Sequence, residues 1–375
     1  MQVTINSIAQ GGEGVARLEN GKTVFVDGAL VDEIVSISIY KETKSYAKAK
    51  LLEIIKPSIH RANPFCPHYF KCGGCNLQHL KYKEQVKVKE ELVLSHLKRI
   101  ANLDLEKIKI LDTEVGRDTS YRNRVRFHVS MADNKIGFLK KNSNELYEID
   151  SCPLLVDSIN ESIKNGDILK AARVNMFSNN SRGNYIQVPV FAGDDKLSFS
   201  KERVSIDVNN KTLSVSANVF FQSNKELLSK LITYVVSKID SDSVMDLYSG
   251  VGTFSAYLPD NTIAVEKQRD CLSLSKINAP NAKSFTGEVE NWGKKNKESV
   301  DIVVVDPPRV GLFESVPKLL RKFGAKKIIY VSCNPVTLAR DIKILEELGY
   351  KTQEIKIFDF YPHTHHVESV VLMSR

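Results

Sequence analysis

The chain has 375 residues, 42% of them apolar and 26% charged, which is long enough for two or three packed domains and too apolar for a disordered chain. It contains no run of 18 apolar residues, and its start lacks the charged-then-apolar pattern of a secretory leader. The reading is therefore of a cytoplasmic protein that does not span a membrane. Lys and Arg number 53 against 45 Asp and Glu, a net charge of +8 that admits a polyanionic partner.

Residues 1–56 read as all-β. Gly11, Gly12 and Gly14 mark a turn, and alternating apolar positions follow in Thr23–Val26 and Ile34–Ile39, with Asp27-Gly28 as a turn between them. Lys41, Lys44, Lys48 and Lys50 lie among Tyr40 and Tyr46, a mixture that suits an oligonucleotide-binding barrel. A cysteine-rich segment (63–80) comes next. Val86, Val93, Leu97 and Ile100 then fall at helical spacing, which predicts a helix near 82–101. Residues 112–215 read as β-rich and irregular, and Tyr121–Phe127 reads as a strand with three alternating arginines suited to a phosphate backbone. From about 216 onward, strands and helices alternate as in a doubly wound, mostly parallel sheet.

Three elements of that last region carry chemistry. In Val244–Gly252 an apolar strand ends in a loop where Gly250 and Gly252 let a ligand approach the backbone, while Glu266 closes the next strand where a carboxylate meets ribose hydroxyls. Ser255 stands where the dinucleotide fingerprint needs a third glycine, which favours S-adenosylmethionine over a pyrophosphate cofactor. Asp306-Pro307-Pro308-Arg309 ends a buried strand in a rigid polar wall, an element that accompanies methyl transfer to a planar nitrogenous ring. Ser332-Cys333-Asn334-Pro335 puts a thiol at a strand tip beside a helix N-terminus, where ionisation is expected to be encouraged. Cys271, with no polar constellation around it, reads as a small buried hydrophobe.

A thiol at such a place makes chemical sense if the acceptor is carbon 5 of a pyrimidine. Addition of sulfur to carbon 6 puts electron density on carbon 5, which then attacks the methyl sulfonium; a base must later take the carbon 5 proton. If the last strand runs antiparallel to its neighbours, Glu368 at its start reaches the same cleft and supplies that base. The run His363 to His366 offers a less favoured alternative as a metal site. Cys66, Cys72, Cys75 and the distant Cys152 are four thiols suited to structural zinc or to an iron–sulfur cluster; His68 and His79 keep a Cys3His zinc site open, and local chemistry leans slightly to zinc.

Taken together, these residues resemble the uracil-C5 RNA methyltransferases that combine a TRAM domain, a four-cysteine iron–sulfur domain and a methyltransferase domain. The resemblance runs through Gly12–Arg17, Cys66-Pro67-His68, Cys72–His79, Tyr121-Arg122-Asn123, Phe220–Asn224, the Asp246 loop, Asp306–Arg309, Ser332–Pro335 and His366-Val367-Glu368. It implies an α/β Rossmann-like methyltransferase fold with a mixed sheet, preceded by a five-stranded β-barrel of the TRAM or OB type and a small β-rich iron–sulfur domain. The expected division is 1–56 for the barrel, 57–81 with 112–215 for the cysteine domain, and 82–111 with 216–375 for the methyltransferase domain. Cys333 would be the nucleophile and Glu368 the proton acceptor. Gln222, Tyr248, Gly250, Glu266 and Asp306 would line the S-adenosylmethionine site, and Cys66, Cys72, Cys75 and Cys152 would hold a 4Fe–4S cluster. The implied partner is structured RNA, 23S ribosomal RNA ahead of uridine 54 of transfer RNA, acted on by a monomer without an obligate protein partner. A non-catalytic RNA-binding iron–sulfur protein is the alternative. The chain departs from the family pattern after Gly252, where the helix must be very short, since only Thr253 to Pro259 precede the next strand.

Overall fold

The computed structural model describes residues 1–175, 181–182 and 185–375. They form two compact units: residues 1–92, 138–147 and 361–366 in one, and 93–137, 148–360 and 367–375 in the other. No helix among the described residues is long and apolar enough to cross a membrane.

The first unit begins with β1 (Gln2–Thr4), β2 (Ser7–Ile8), β3 (Gly14–Arg17), β4 (Thr23–Val26), β5 (Ile34–Glu42) and β6 (Tyr46–Lys56), in the sheet order β1-β5-β6-β4-β3-β2. Only Ile5 and Asn6 separate the two edge strands, so one N-terminal stretch serves both edges. Ile5 N donates to Glu33 O at 3.0 Å and Asn6 N to Val15 O at 2.8 Å. The expected five-stranded barrel is thus present as six short strands, the first strand being split by that bend. Its interior is the alternate residues Val24, Val26, Val35, Ile37, Ala47 and Ala49. The turn at Asp27-Gly28 does not join a hairpin, because β6 lies between β4 and β5 and pairs in parallel with β4. Glu33 is fully buried and satisfied: Arg61 Nε and Nη2 donate to it at 2.6 and 2.7 Å, and Leu30 N and Ser58 N at 2.9 and 3.1 Å.

Helix α1 (Tyr82–Ile100) matches the expected span. Val93 and Leu97 are fully buried as the spacing predicts, but the earlier turns bury Gln85 and Lys89 while Val86 stays half-exposed. After α1, β7 (Lys109–Ile110) is followed by β8 (Arg124–Ser130), β9 (Lys135–Leu139) and β10 (Leu146–Glu148). Then come α2 (Asp157–Lys164), α3 (Asp167–Asn175), β11 (Ser181–Arg182), β12 (Tyr185–Ala192) and β13 (Leu197–Ser198), with β8 and β12 paired antiparallel at the centre of their sheet. The two short helices were not expected in this stretch. They span only two turns each, and no side chain caps the start of α2, so little marks them in the sequence. A hairpin of β14 (Val204–Val208) and β15 (Lys211–Val215) turns on Asn209 and Asn210, both at positive φ, as a two-residue turn requires.

The remainder is α4 (Lys225–Val236), β16 (Val244–Leu247), β17 (Ile263–Glu266), α5 (Arg269–Asn278), β18 (Lys283–Thr286), α6 (Val289–Lys295), β19 (Ile302–Val305), α7 (Val316–Lys322), β20 (Lys327–Ser332), α8 (Pro335–Glu347), β21 (Lys351–Phe358) and β22 (Glu368–Ser374). Together with β7 these strands form one eight-stranded sheet, ordered β18-β17-β16-β19-β20-β22-β21-β7. Strands β16 to β20 are mutually parallel, and β16, β17, β19 and β20 are buried along almost their whole length, as a sheet covered on both faces demands, while the edge strand β18 is not. β22 is antiparallel to both β20 and β21, which makes the sheet mixed. After Gly252 the chain forms a single 3-10 turn, Ser255–Tyr257, as the short spacing requires.

Candidate active site

The parallel strands share one register, and this gathers the expected site residues along one sheet edge. Leu247 pairs with Val265 and Val305, and Val305 with Tyr330. Tyr248, Glu266, Asp306 and the Ser332-Cys333 tip therefore emerge at neighbouring carboxyl ends. Ser332 pairs with Ser369 across the antiparallel β22. One step further along that ladder brings Cys333, beyond the end of β20, beside Glu368, the first residue of β22.

Two sequence motifs far apart in the chain support the site from behind. Arg122 forms an antiparallel bridge with Asn224, and Asn123 N donates to Ser223 O at 3.0 Å. Asn224 caps α4 by accepting from Leu227 N at 3.1 Å, and its amide donates to Phe360 O at 3.2 Å. This anchors Gln222, which is buried and lies close to the Glu368 carboxylate. The alternating arginines of Tyr121–Phe127 do share a face, but Arg122 and Arg124 donate to the carbonyls of Arg124 and Val219. Of the three, only Arg126 is classed as exposed.

The glycine loop is strained where a ligand would approach. Tyr248 sits at φ 62°, a left-handed conformation that costs a non-glycine residue about 1 kcal/mol or more, next to Gly250 at φ 56°. Glu266 braces the loop: Oε2 accepts from Gly250 N at 2.9 Å and Oε1 from Gln268 N at 2.6 Å, which leaves further lone pairs for hydroxyl groups. Asp246 lies inside β16 rather than at its tip and is fully buried. Its Oδ2 accepts from Ser255 N and Oγ at 3.0 and 2.5 Å, which gives the residue standing in the third-glycine position a role that spacing did not reveal.

The electrostatics of the edge are set by acids crowded out of water. Burial, and then the charge on Glu266, pushes Asp246 up to about 7 despite its two hydrogen bonds. Burial and the neighbouring Asp246 bring Asp306 to about 7 as well. Glu368 is held well above the usual carboxylate range by burial and by Asp306, with Arg309 and the Gln222 side chain acting in the opposite direction. Burial, then Glu368 and Asp306, pushes the Cys333 thiol up to about 12, while Arg309 opposes the shift. Against the expectation that the start of α8 favours ionisation, burial and then the two acids work to keep the Cys333 thiol protonated. A cation bound among these acids, such as a sulfonium, would restore their charge. Cys271 is buried and held up to about 12, as its apolar reading implies.

The four other cysteines are half-buried. Cys66, Cys72 and Cys75 lie in the loops between β6 and α1, where burial raises the Cys66 thiol and Gly74 N donates to Cys72 Sγ at 3.4 Å. Cys152 belongs to the second unit, and its N donates to Asn160 Oδ1 at 2.9 Å. Among the described residues no three His, Cys, Asp or Glu side chains are gathered closely enough to hold a metal ion. His79 is committed elsewhere: it is buried, its Nδ1 lies 2.6 Å from Tyr69 Oη, and burial lowers it to about 4.

Residues 1–52 match the TRAM domain, and residues 294–375 match the family described as tRNA (Uracil-5-)-methyltransferase. The second match takes in Asp306, Cys333 and Glu368. The chain is 33% identical to an RNA methyltransferase of Treponema denticola, over 96% of this chain and 95% of that protein. It is 29% identical to the 23S rRNA (uracil(1939)-C(5))-methyltransferase of Vibrio parahaemolyticus, over 100% of this chain and 95% of that one. The fold is shared with the tRNA (uracil-54, C5)-methyltransferase of Pyrococcus abyssi, solved in complex with S-adenosyl-L-homocysteine: TM-score 0.77, 23% identity, and 100% of both chains covered.

Proposed function

The chain belongs to the S-adenosylmethionine-dependent RNA uracil-C5 methyltransferases, and we propose that it methylates one uridine of 23S ribosomal RNA through a covalent adduct on Cys333. The observation that carries this reading is the ladder that brings Cys333 alongside Glu368, next to Asp306, at the carboxyl edge of a methyltransferase sheet. Gln222, Tyr248, Gly250, Glu266 and Asp306 line the methyl donor's site in this reading, with the Glu266 carboxylate taking ribose hydroxyls and the acid row taking the sulfonium charge.

The target uridine leaves its stack, at a cost of a few kcal/mol, and enters the cleft. The Cys333 thiol gives up its proton as sulfur adds to carbon 6; Asp306, held near 7, is matched to accept it at neutral pH. Carbon 5 attacks the methyl group. Glu368, ionised once a cation has occupied the site, takes the carbon 5 proton; the electron pair restores the ring double bond and the sulfur leaves. The barrel (1–56) and the parts 57–81 with 112–215 serve RNA binding, and 82–111 with 216–375 carry the chemistry.

The whole-length match to proteins named for 23S ribosomal RNA supports that substrate. Methylation of uridine 54 in transfer RNA is the second reading, favoured by the shared fold with the Pyrococcus enzyme. Position-resolved nucleoside analysis of ribosomal and transfer RNA, from cells with and without the gene, separates them; unchanged 5-methyluridine in both would refute the activity. Cysteine spacing and family resemblance, rather than the arrangement of the thiols, support a 4Fe–4S cluster on Cys66, Cys72, Cys75 and Cys152. Equal amounts of iron and acid-labile sulfide in anaerobically purified protein are the expected result.

A further inference from the structure

The turn after Asp306 holds apolar side chains out in solvent beside the cleft. Gly311 N donates to Pro308 O at 2.8 Å, which puts Arg309 and Val310 at the tip of a tight turn. Such tips ordinarily carry Gly, Asn, Asp or Ser. Here Pro308, Arg309 and Val310 are all exposed, Val310 at 61%, and Phe313 just beyond is exposed at 49%. Leu312, between Gly311 and Phe313, is buried and anchors the segment in the core.

The exposed side chains stand on a fixed backbone. Asn334 Nδ2 and Thr337 Oγ1 donate to Arg309 O, Arg340 Nη2 donates to Val310 O and Leu312 O, and Leu312 N donates to Asp341 Oδ2. Val316 N donates to Phe313 O at 2.9 Å. These ties also locate the turn. Asn334 follows Cys333 directly, and the Arg309 charge acts on both Cys333 and Glu368, so the tip stands at the mouth of the cleft within the second unit. A lone exposed apolar side chain is ordinary on a protein surface. Two of them on a rigid support beside a site lose little freedom on contact, so more of the contact energy goes into binding.

A uridine drawn from its stack leaves a gap that its neighbours close unless something keeps them apart. Apolar wedges do this in proteins that unstack bases, and unpaired RNA bases stack on aromatic rings. The tip continues the cleft, and Arg309 between Pro308 and Val310 adds a positive charge that suits an RNA strand. We propose that Val310 and Phe313 form a wedge: they pack against the RNA bases beside the target uridine and hold the stack open while that base is in the cleft. The inference rests on the cleft being a uridine site and adds the residues that stabilise the extruded state.

The test uses the full chain, total RNA from cells lacking the gene, and methyl-labelled S-adenosylmethionine, with initial rates read at limiting RNA. Val310→Ser combined with Phe313→Ala is expected to slow methylation about tenfold, the scale of losing one stacked base. Its S-adenosylmethionine affinity by calorimetry and its melting temperature should match the parent, because both side chains are largely exposed. Phe313→Tyr keeps the ring and should keep the rate. A folded double variant with the parent's rate overturns the proposal. So does a Phe313→Tyr protein as slow as Phe313→Ala, or a loss of S-adenosylmethionine affinity that matches the loss of rate. Should the double variant unfold, the comparison of Phe313→Ala with Phe313→Tyr decides alone, by the same outcomes. If the parent protein methylates no uridine in this RNA, the reading of the cleft fails instead.

Discussion

Asp246, Asp306, Glu368 and Cys333 each carry charge poorly where they stand, and each has the same two causes: loss of water and an acidic neighbour. Cys333 should consequently react slowly at pH 7.5. Peptide-resolved labelling with iodoacetamide is expected to find it slower than free cysteine, and rapid labelling in the ligand-free protein would contradict the electrostatics. The acids also make a prediction about stability. Asp246 titrates near 7 when folded and near 4 when unfolded, so the folded protein binds the extra proton between those values. Its contribution to stability is greatest below about 4 and is lost as pH rises through about 7. Asp246→Asn keeps an acceptor for Ser255, so its melting temperature should exceed that of the parent at pH 8 and match it near pH 4. Cys333→Ala should abolish methyl transfer while RNA affinity in filter binding stays within about twofold, because only the covalent step uses the sulfur.

Among elements, the turn after Asp306 and the start of α8 form one assembly. Asn334 Nδ2 and Thr337 Oγ1 donate to Arg309 O at 2.9 and 3.1 Å, and Arg340 Nη2 donates to Val310 O and Leu312 O at 2.9 and 3.1 Å. Asp341, buried with Tyr330, accepts from Leu312 N at 2.7 Å. The arginine that opposes the rise of the thiol is thus tied through its backbone to the helix that follows the thiol. Gly311 makes this possible, since at φ 77° an added Cβ would lie 2.5 Å from Asp341 Oδ2. Gly311→Ala should cost about 1–3 kcal/mol in urea unfolding and lower kcat more than it raises KM. Asn224 links two elements in the same way. Asn224→Ala removes both the cap of α4 and the tie to Phe360 O, and a loss of about 1–2 kcal/mol is expected.

At the scale of the molecule, the net charge of +8 favours association with a polyanion. Log affinity for RNA should fall linearly with log salt concentration, and a salt-independent affinity would argue against backbone contacts. The barrel depends on one buried ion pair. Arg61→Leu leaves the Glu33 carboxylate, fully buried, without its countercharge and is expected to destabilise the first unit by about 3–5 kcal/mol, seen as an early transition in thermal melts.

Periodicity in the sequence was enough to determine the β-barrel, the helix at 82–100 and the alternating strands of the sheet, because burial of apolar faces is written directly in residue spacing. The strand ends legible in the spacing put Asp306 and Cys333 at one sheet edge, whereas Glu368 joins them only because β22 runs antiparallel to β20. The strand order did not follow from periodicity. β6 enters between β4 and β5, so the strands on either side of the Asp27-Gly28 turn are not partners. Buried polar residues were also illegible: Gln85 and Lys89 look like solvent-facing positions until the loop they bind is known to lie against them. The ionisation of Cys333 was misjudged for a related reason. A helix terminus is local and visible in sequence, whereas the burial that chiefly overrules it, and the acids 27 residues before and 35 after that add to it, come to the sulfur only through the tertiary register.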